Sequence, residues 1–448
     1  MIKLWFIAAF IMTIISCNTA SKTTVGIHIE GANSDAKSRI VTKDSTYEVA
    51  LDSTGSAVIV LGDNLKANYA TINYGRLKIP VYIEPGKSFE VSMKFEGRRV
   101  IPTFTGEGAK KNEYLNSDIF KSSSPDFKAD EDAFIASLAE LQNKYYTNLD
   151  SLGFDASFNQ LEKKRLHYVA YNLLPNYPSY HPYYTQDTSY KPSDRLYEEI
   201  KAAVQEDETL IDMEIYQAAL VGLVESYSYK DMEEYDALLF AKKQLDFVQS
   251  NFTNPVIIEF LINKTATAYI GRSGVDHLDE IAPIFNAKVT NVDMKTKFDE
   301  LCAKWAKIAK GQPSADFKYL DINGKEVSLA DLAGKYVYID MWATWCGPCC
   351  GELPHLKELE HKFKAKNINF VSISCDQDKA AWEKKVKDDK LEGIQLHNGG
   401  NNEFMDAYMV TGIPRFILLD REGKIVSADM SRPSESKTVE TLNALEGI

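Results

Sequence analysis

The sequence predicts a multi-domain chain in which an all-β sandwich or barrel is followed by an α-helical region and then by an α/β domain. Residues 24–106 contain short runs rich in β-branched residues, separated by turn signals. Residues 107–310 carry apolar residues at the three-to-four spacing of amphipathic helices, and residues 311–448 alternate apolar strands with helices. A length of 448 residues is enough for about three domains.

The first 16 residues have the features of a secretory signal peptide. One charge, Lys3, precedes an apolar run from Leu4 to Ile15 that is too short to cross a bilayer, which needs about 20 residues. The run ends in Ile-Ile-Ser-Cys, which resembles a bacterial lipobox. That resemblance implies cleavage before Cys17, lipidation of its thiol, and a lipid-anchored protein of the bacterial cell envelope that faces the periplasm. The alternative is an ordinary signal peptide followed by an unmodified cysteine.

Residues 24–106 are predicted to form seven short strands in a small antiparallel sandwich or barrel, with no strand between residues 31 and 46. We find no catalytic group of residues there, and His28 is interpreted as a surface or cross-strand side chain. The role of residues 24–310 stays open at this point.

Residues 107–310 are predicted to form mainly helices, with Asp130 and Ser193 as N-caps and Asn254 preceding a helix that begins at Pro255. The tract from Pro175 to Thr185 is rich in tyrosine and proline and is predicted to interrupt the helices as a loop. Such a loop could bind peptides, because tyrosine offers contact area at low entropic cost. We favour the alternative, a loop whose rings pack on neighbouring helices.

The most informative stretch runs from Lys335 to Pro354, KYVYIDMWATWCGPCCGELP. It predicts a buried strand, a short turn and a helix that opens at Cys346 and Cys349. Two residues between cysteines allow the sulfurs to bridge, and a helix N-terminus stabilises a thiolate on Cys346. A structural zinc pair is the alternative, but zinc needs four ligands and the chain has no second Cys-x-x-Cys or Cys-x-x-x-His. We therefore expect a redox pair with neither a metal nor a cofactor.

Two carboxylates accompany the cysteines. Asp340 lies within the apolar strand, so we expect it to be buried with a raised pKa and to accept the proton of Cys349. The alternative is a solvated strand end. Glu352 follows Cys349 by three and shares a helix face with it. It is either part of the site or an acid in the helix's first turn, stabilised by the dipole.

These residues, together with Gly412-Ile413-Pro414 before a later strand, resemble the thioredoxin superfamily. The run from Trp345 to Pro354 is similar to the membrane-tethered TlpA/ResA branch, and the resemblance covers about residues 311–448. It implies a thioredoxin-like fold, a Cys346–Cys349 redox disulfide, attack by Cys346 and a cis Pro414. The Pro414 loop, with Ile413, is then expected to hold the substrate chain by backbone pairing. Trp345 is adjacent to Cys346 and is predicted to line the contact surface; the alternative is that Trp345 and Trp342 fill the core. Residues 24–106 are more weakly similar to a β-domain of unknown function found ahead of such reductases.

Within this domain we predict a hairpin with a type I′ turn at Asn323-Gly324, and a helix from about Pro354 to Lys366 after the motif. Three further cysteines have open roles. Cys302 is predicted to be a small buried apolar residue, and Cys375 is predicted to be buried and inert. Cys350 departs from the family pattern and is predicted to point away from the reactive sulfur.

The predicted function is that of a thiol:disulfide oxidoreductase that reduces disulfides of exported proteins. Its partners are then disulfide-containing substrates, a membrane thiol electron donor and the lipid bilayer through Cys17. A net charge of −13 without a basic run disfavours nucleic acid. Two alternatives remain: a lipid-anchored adaptor that uses the fold as a scaffold, and a thiol peroxidase. Peroxidase sites place a threonine three residues before the cysteine, whereas Thr344 precedes Cys346 by two.

Overall fold

The computed structural model describes residues 22–32, 36–62, 65–96, 99–121, 125–233 and 235–448. The predicted signal peptide and Cys17 lie outside the described residues. Two compact units make up the chain, one ending at Ser226 and the other running from Tyr227 to Ile448. The predicted order of an all-β, a helical and an α/β region is confirmed. The predicted boundaries near residues 106 and 310 stay predictions.

Eight strands form the β region: β1 Thr24–Ile29, β2 Ser38–Val41, β3 Thr46–Val49, β4 Ser56–Val60, β5 Asn68–Tyr74, β6 Leu77–Ile83, β7 Phe89–Glu96 and β8 Arg99–Gly106. They form two four-stranded sheets, ordered β4-β1-β7-β8 and β3-β2-β5-β6, whose inner faces share one apolar core. The predicted sandwich is therefore confirmed. His28 is exposed on β1 and its Nδ1 lies 2.9 Å from Ser56 Oγ.

Two details of the β prediction are wrong. The sandwich is not purely antiparallel, because β1 pairs with β7 in parallel, for example Ile27 beside Val91. The prediction also missed β2, which has only four residues and alternates buried Ser38 and Ile40 with exposed Arg39. A single buried aliphatic residue gives too little periodicity for a strand to be recognised.

Six helices follow: α1 Ala109–Leu115, α2 Glu131–Ser151, α3 Ala156–Tyr171, α4 Tyr177–Thr185, α5 Asp194–Ala202 and α6 Glu214–Tyr229. Asp130 and Ser193 cap α2 and α5 as predicted, since their side chains accept the N–H groups of Ala133 and Leu196. The tyrosine-rich tract is a helix, so the predicted loop is wrong. Its Pro178 lies in the first turn of α4, where a missing N–H costs nothing.

A buried ion pair joins α3 to the β-sheet and to α1. The Glu162 carboxylate is fully buried and binds the Arg165 guanidinium at 2.6 and 2.8 Å. The hydroxyl of Tyr114 donates to it at 2.8 Å, and the hydroxyl of Tyr69 on β5 also donates to it. Because every contact of Glu162 is a donor, its charge is compensated inside the unit.

The second unit begins with four helices: α7 Ala237–Asn251, α8 Pro255–Ser273, α9 Leu278–Lys288 and α10 Val292–Ala306. Asn254 caps α8 as predicted, accepting the N–H groups of Val256 and Ile257. Cys302 on α10 is only partly buried, so its predicted full burial is wrong. In the part of the chain that the structure describes, no helix combines the length and apolarity needed to cross a bilayer.

A seven-stranded sheet forms the α/β domain, ordered β10-β9-β13-β12-β11-β14-β15. Its elements are β9 Lys318–Asp321, β10 Glu326–Ser328, β11 Tyr336–Trp342, α11 Gly347–Phe363, β12 Ile368–Ser374, α12 Lys379–Asp388, β13 Ile394–His397, α13 Glu403–Ala407, β14 Arg415–Leu419, β15 Ile425–Ser427 and α14 Ser436–Asn443. The central strand β11 is buried along its whole length, parallel to β12 and antiparallel to β14.

Two predictions within this domain are wrong. The β9–β10 loop spans four residues, and only Gly324 among them has a positive φ, so it is not a type I′ turn. The Asp321 carboxylate shapes this loop by accepting the N–H groups of Asn323 and Lys325, each at 2.8 Å. The helix that opens at the cysteines begins at Gly347, as predicted, and continues through Pro354 to Phe363, so the predicted separate helix from about Pro354 to Lys366 is wrong.

Candidate functional site

The two cysteines lie where β11 gives way to α11. Cys346 is the N-cap of α11, and its Sγ is bonded to Cys349 Sγ at 1.98 Å, as the resemblance implies. The Cys349 N–H donates to Cys346 Sγ at 3.1 Å. The exposed fraction is 5% for Cys346 and 2% for Cys349. A reduced Cys346 sulfur would therefore meet an N–H donor and the positive end of a helix, both of which favour its thiolate.

The loop before β14 lies against this pair. Antiparallel pairing of Met341 with Arg415 places that loop beside the end of β11. The Ile413–Pro414 peptide bond is cis, in agreement with the resemblance. Cys346 Sγ lies 3.7 Å from the carbonyl oxygen of Ile413. A backbone acceptor thus stands directly beside the sulfur that is predicted to react.

Asp340 is buried on the face of β11 that also carries Trp342. Its exposed fraction is 4%, and the Ser372 hydroxyl donates a hydrogen bond to its Oδ2 at 3.4 Å. Burial raises the pKa of Asp340 to about 8, and repulsion from Glu360 and Glu352 adds to the rise. The predicted burial is confirmed and a solvated strand end is excluded, and the direction of the pKa shift agrees with the prediction. A carboxyl group with this pKa can exchange a proton near neutral pH.

Glu352 lies in the second turn of α11, so its interpretation as a first-turn acid is wrong. Its carboxylate accepts from the Ser434 N–H at 3.1 Å and the Ser434 hydroxyl at 2.9 Å, and Arg432 Nη1 lies 3.8 Å away. The turn before α14 thus holds Glu352 in place. Sequence reasoning missed this turn, because Glu352 and Ser434 are 82 positions apart and gave no signal that they meet.

The two tryptophans of the motif have different environments. Trp342 is fully buried, whereas 70% of Trp345 is exposed beside Cys346. An exposed indole next to a reactive sulfur offers apolar contact area to a partner. The tryptophan predicted to line the contact surface is therefore available to do so.

The thiols of Cys350 and Cys375 are both partly buried, so the predicted burial of Cys375 is only partial. Cys350 Sγ lies 3.6 Å from the Thr344 carbonyl oxygen, and Cys375 Sγ lies 3.4 Å from that of Trp342. Burial raises the pKa of the Cys375 thiol, and the Asp376 charge raises it further. This agrees with the expectation that Cys375 is unreactive.

Sequence reasoning also missed Asp376 and Glu360, which are both buried near the site. Asp376 follows β12 at the carboxyl end of the parallel strands, a position that could have drawn attention. Burial raises the pKa of Glu360 to about 7, with repulsion from Glu392 in the same direction. Among the described residues, no group of histidine, cysteine and carboxylate side chains is arranged to hold a metal ion.

Solved structures similar to this chain include two from Bacteroides vulgatus. One is a solution structure of a candidate thiol-disulfide oxidoreductase, 66% identical, covering 30% of this chain and 90% of the other, with a TM-score of 0.28. The second is a crystal structure of the thioredoxin domain of a thiol-disulfide oxidoreductase. It is 31% identical and covers 30% of this chain and 96% of the other, with a TM-score of 0.29.

Residues 309–445 match the Redoxin family. A thiol-disulfide oxidoreductase ResA from Bacillus cereus is 28% identical over 151 residues, which is 34% of this chain and 86% of the relative. Another Bacillus cereus ResA is 31% identical over 132 residues, 29% of this chain and 75% of the relative. The site and these matches define a thioredoxin-like thiol-disulfide oxidoreductase. Through its C-terminal third, the chain belongs to the ResA family of thiol-disulfide oxidoreductases.

Proposed function

We propose that the chain reduces disulfides of exported proteins, with Cys346 and Cys349 as the dithiol. The observation that carries this proposal is the linked pair at the start of α11, with the Ile413 carbonyl 3.7 Å from Cys346 Sγ. That arrangement combines a stabilised thiolate, a resolving thiol three residues away and a backbone acceptor for a bound polypeptide.

The reaction has two exchange steps. The Cys346 thiolate attacks one sulfur of the substrate disulfide, whose S–S bond breaks as a mixed disulfide forms. Cys349 then loses its proton and attacks Cys346 Sγ. The bond between Cys346 and the substrate breaks, and the substrate leaves with both of its sulfurs reduced. Cys346 and Cys349 have supplied the two electrons and are joined as a disulfide.

Asp340 is proposed to accept the Cys349 proton in the second step. Its burial on β11 and its pKa of about 8 suit a base that works near neutral pH. Glu352 has a positioning role in this proposal. Its negative charge adds to the rise in the Asp340 pKa, while Ser434 and Arg432 fix the carboxylate in place.

Trp345, Ile413 and Pro414 are proposed to form the surface that binds the substrate. The exposed Trp345 ring offers apolar contact, and the Ile413 carbonyl can accept an N–H from an extended substrate strand. Backbone recognition of this kind suits an enzyme that acts on disulfides in different sequences.

Lipid attachment at Cys17 is proposed to anchor the protein to a membrane of the bacterial envelope, facing the periplasm. This proposal is supported by the lipobox-like sequence that ends at Cys17. Each turnover oxidises the dithiol, so a membrane thiol electron donor is needed to reduce it again. More than one acyl chain on Cys17 would give firm anchoring.

A trapping experiment tests the proposal. Full-length protein with Cys349→Ser keeps the attacking sulfur but lacks the resolving one, so we expect a mixed disulfide between Cys346 and the substrate to accumulate. Reduced variant protein would be mixed with envelope proteins, and the disulfide-linked species identified by non-reducing electrophoresis and mass spectrometry.

Cys350→Ser in the Cys349→Ser background is the matched control, since it removes a neighbouring thiol and should leave trapping unchanged. Adding Cys346→Ser should abolish trapping. If the Cys349→Ser protein forms no mixed disulfide, or if Cys346→Ser leaves cellular function intact, the reductase proposal fails. The second result would instead support the adaptor alternative.

A further inference from the structure

The loop that follows β12 clamps the turn between β11 and α11. Parallel pairing brings Trp342 beside Ser374, so the carboxyl ends of β11 and β12 meet at the same edge of the sheet. The Cys375 N–H donates to the Trp342 carbonyl at 3.0 Å and continues this contact past the strand ends. The next residue, Asp376, lies beneath the turn that carries the motif.

The Asp376 carboxylate accepts hydrogen bonds from two residues. The Thr344 N–H donates at 2.9 and 3.1 Å to its two oxygens, and the Thr344 hydroxyl donates to Oδ1 at 2.7 Å. The Ser374 hydroxyl donates to Oδ2 at 2.8 Å. Only 2% of Asp376 is exposed. An ionised carboxylate only accepts hydrogen bonds, and the Thr344 and Ser374 groups that contact Asp376 all donate, so the site suits a negative charge.

The Asp376 carboxylate contacts Thr344, which precedes the reactive Cys346 by two residues. Thr344 is fixed by Asp376, and the Cys346 N–H donates to Ala343 O at 3.1 Å, so the turn from 343 to 346 is rigidly connected to the carboxylate. The negative charge opposes the Cys349 N–H and the helix N-terminus, which favour the Cys346 thiolate. A like charge nearby makes the thiolate less stable.

We propose that Asp376 is a positioning residue that holds the motif turn and, through its buried charge, makes the Cys346–Cys349 dithiol a stronger reductant. The inference rests on the proposed function and extends it, because it assigns a cause to the reducing direction. A less stable thiolate disfavours the dithiol relative to the disulfide, so the pair gives up its two electrons more readily.

Equilibration of the full-length protein with reduced and oxidised glutathione measures this effect. Two glutathione thiolates break the Cys346–Cys349 bond, which yields the dithiol and one oxidised glutathione. The fraction of each form can be counted by alkylation and mass spectrometry of the peptide that carries both cysteines. No natural substrate is needed, so failure here differs from failure of the trapping experiment.

Asp376→Asn keeps the size of the side chain and removes its charge. We expect the equilibrium to move about tenfold toward the dithiol, which is about 30 mV for a two-electron couple. The pKa of the Cys346 thiol should fall at the same time, measured by its ultraviolet absorbance in a pH titration. Asp388→Asn is the matched control: it removes an exposed carboxylate on α12 and should change neither quantity.

Ser374→Ala tests the same inference with the opposite sign and guards against misfolding of Asp376→Asn. Loss of the Ser374 hydroxyl leaves the carboxylate charge less compensated, so we expect the equilibrium to move toward the disulfide. The inference is overturned if Asp376→Asn changes the equilibrium by less than about twofold or moves it toward the disulfide. It is equally overturned if Ser374→Ala leaves the equilibrium unchanged or moves it toward the dithiol.

Discussion

At the scale of single residues, Asp340 is the side chain whose environment is most unusual. It is a carboxyl group at the centre of a sheet, flanked along β11 by Ile339 and Met341, which are fully buried. The hydrogen bond from Ser372 is long, at 3.4 Å, so burial dominates and the pKa of Asp340 rises to about 8. The ionised form therefore costs stability in the folded state.

Asp340→Asn is expected to raise stability at high pH. Between the unfolded-state pKa of about 4 and the folded-state pKa of about 8, the folded protein retains a proton that the unfolded chain releases. The contribution of Asp340 to the free energy of unfolding is fully present below about pH 4 and is lost as the pH rises toward 8. The variant should therefore be more stable by a few kcal/mol near pH 8 in denaturant unfolding, and similar near pH 4.

The same substitution is expected to slow resolution of the mixed disulfide by about a hundredfold near neutral pH, since general bases contribute rate factors of this size. Stopped-flow measurement of substrate release across a pH series checks this, with Glu392→Gln as an exposed carboxylate control. Resolution as fast in Asp340→Asn as in wild type would contradict the proton-accepting role.

At the scale of elements, the redox motif was predictable because its parts are close in sequence. An apolar run followed by Cys-Gly-Pro-Cys is enough to indicate β11, the turn and the start of α11. Contacts from distant segments were not predictable, such as Ser434 on Glu352 and Asp376 on Thr344. These contacts depend on which strands become neighbours in the sheet. Hydrophobic periodicity does not specify the order of strands in this sheet.

Helices that contain proline account for two of the errors in the predicted secondary structure. The tract containing α4 was predicted as a loop because proline weakens helices, yet Tyr177 is fully buried and tertiary packing outweighs that preference. Only some of its rings are covered, since 69% of Tyr183 is exposed. The motif helix and the helix predicted from about Pro354 are one element, because α11 continues through this proline.

The Glu162 ion pair on α3 provides a stability test at this scale. Glu162→Ala leaves Arg165 without its carboxylate partner, and we expect a loss of about 3–5 kcal/mol in the free energy of unfolding. Denaturant unfolding followed by circular dichroism measures it. Asp150→Ala breaks the half-exposed pair with Lys163 and should cost less than about 1 kcal/mol. Equal losses in the two variants would show that burial of Glu162 contributes nothing.

At the scale of the whole molecule, composition and periodicity were sufficient for the order of the three regions. They did not specify how the chain divides into compact units, because the division after Ser226 falls inside α6. The match at residues 309–445 explains the chemistry of the C-terminal part alone.

The anchoring proposal concerns the entire chain. Cys17→Ser is expected to move the protein from the membrane fraction to the released fraction, because the lipid can no longer be attached. Immunoblotting of fractionated cells and metabolic labelling with a fatty acid check this. Retention of the Cys17→Ser protein in the membrane fraction, or absence of label in the wild type, would contradict anchoring through Cys17.

The most direct measurement of the central claim is the reduction potential of the Cys346–Cys349 pair in the full-length protein. Equilibration with a dithiol of known potential, followed by alkylation and mass spectrometry, gives this value. A reductase is expected to lie near the thioredoxin value of about −270 mV. A potential near the strongly oxidising value of about −120 mV would contradict a disulfide-reducing function.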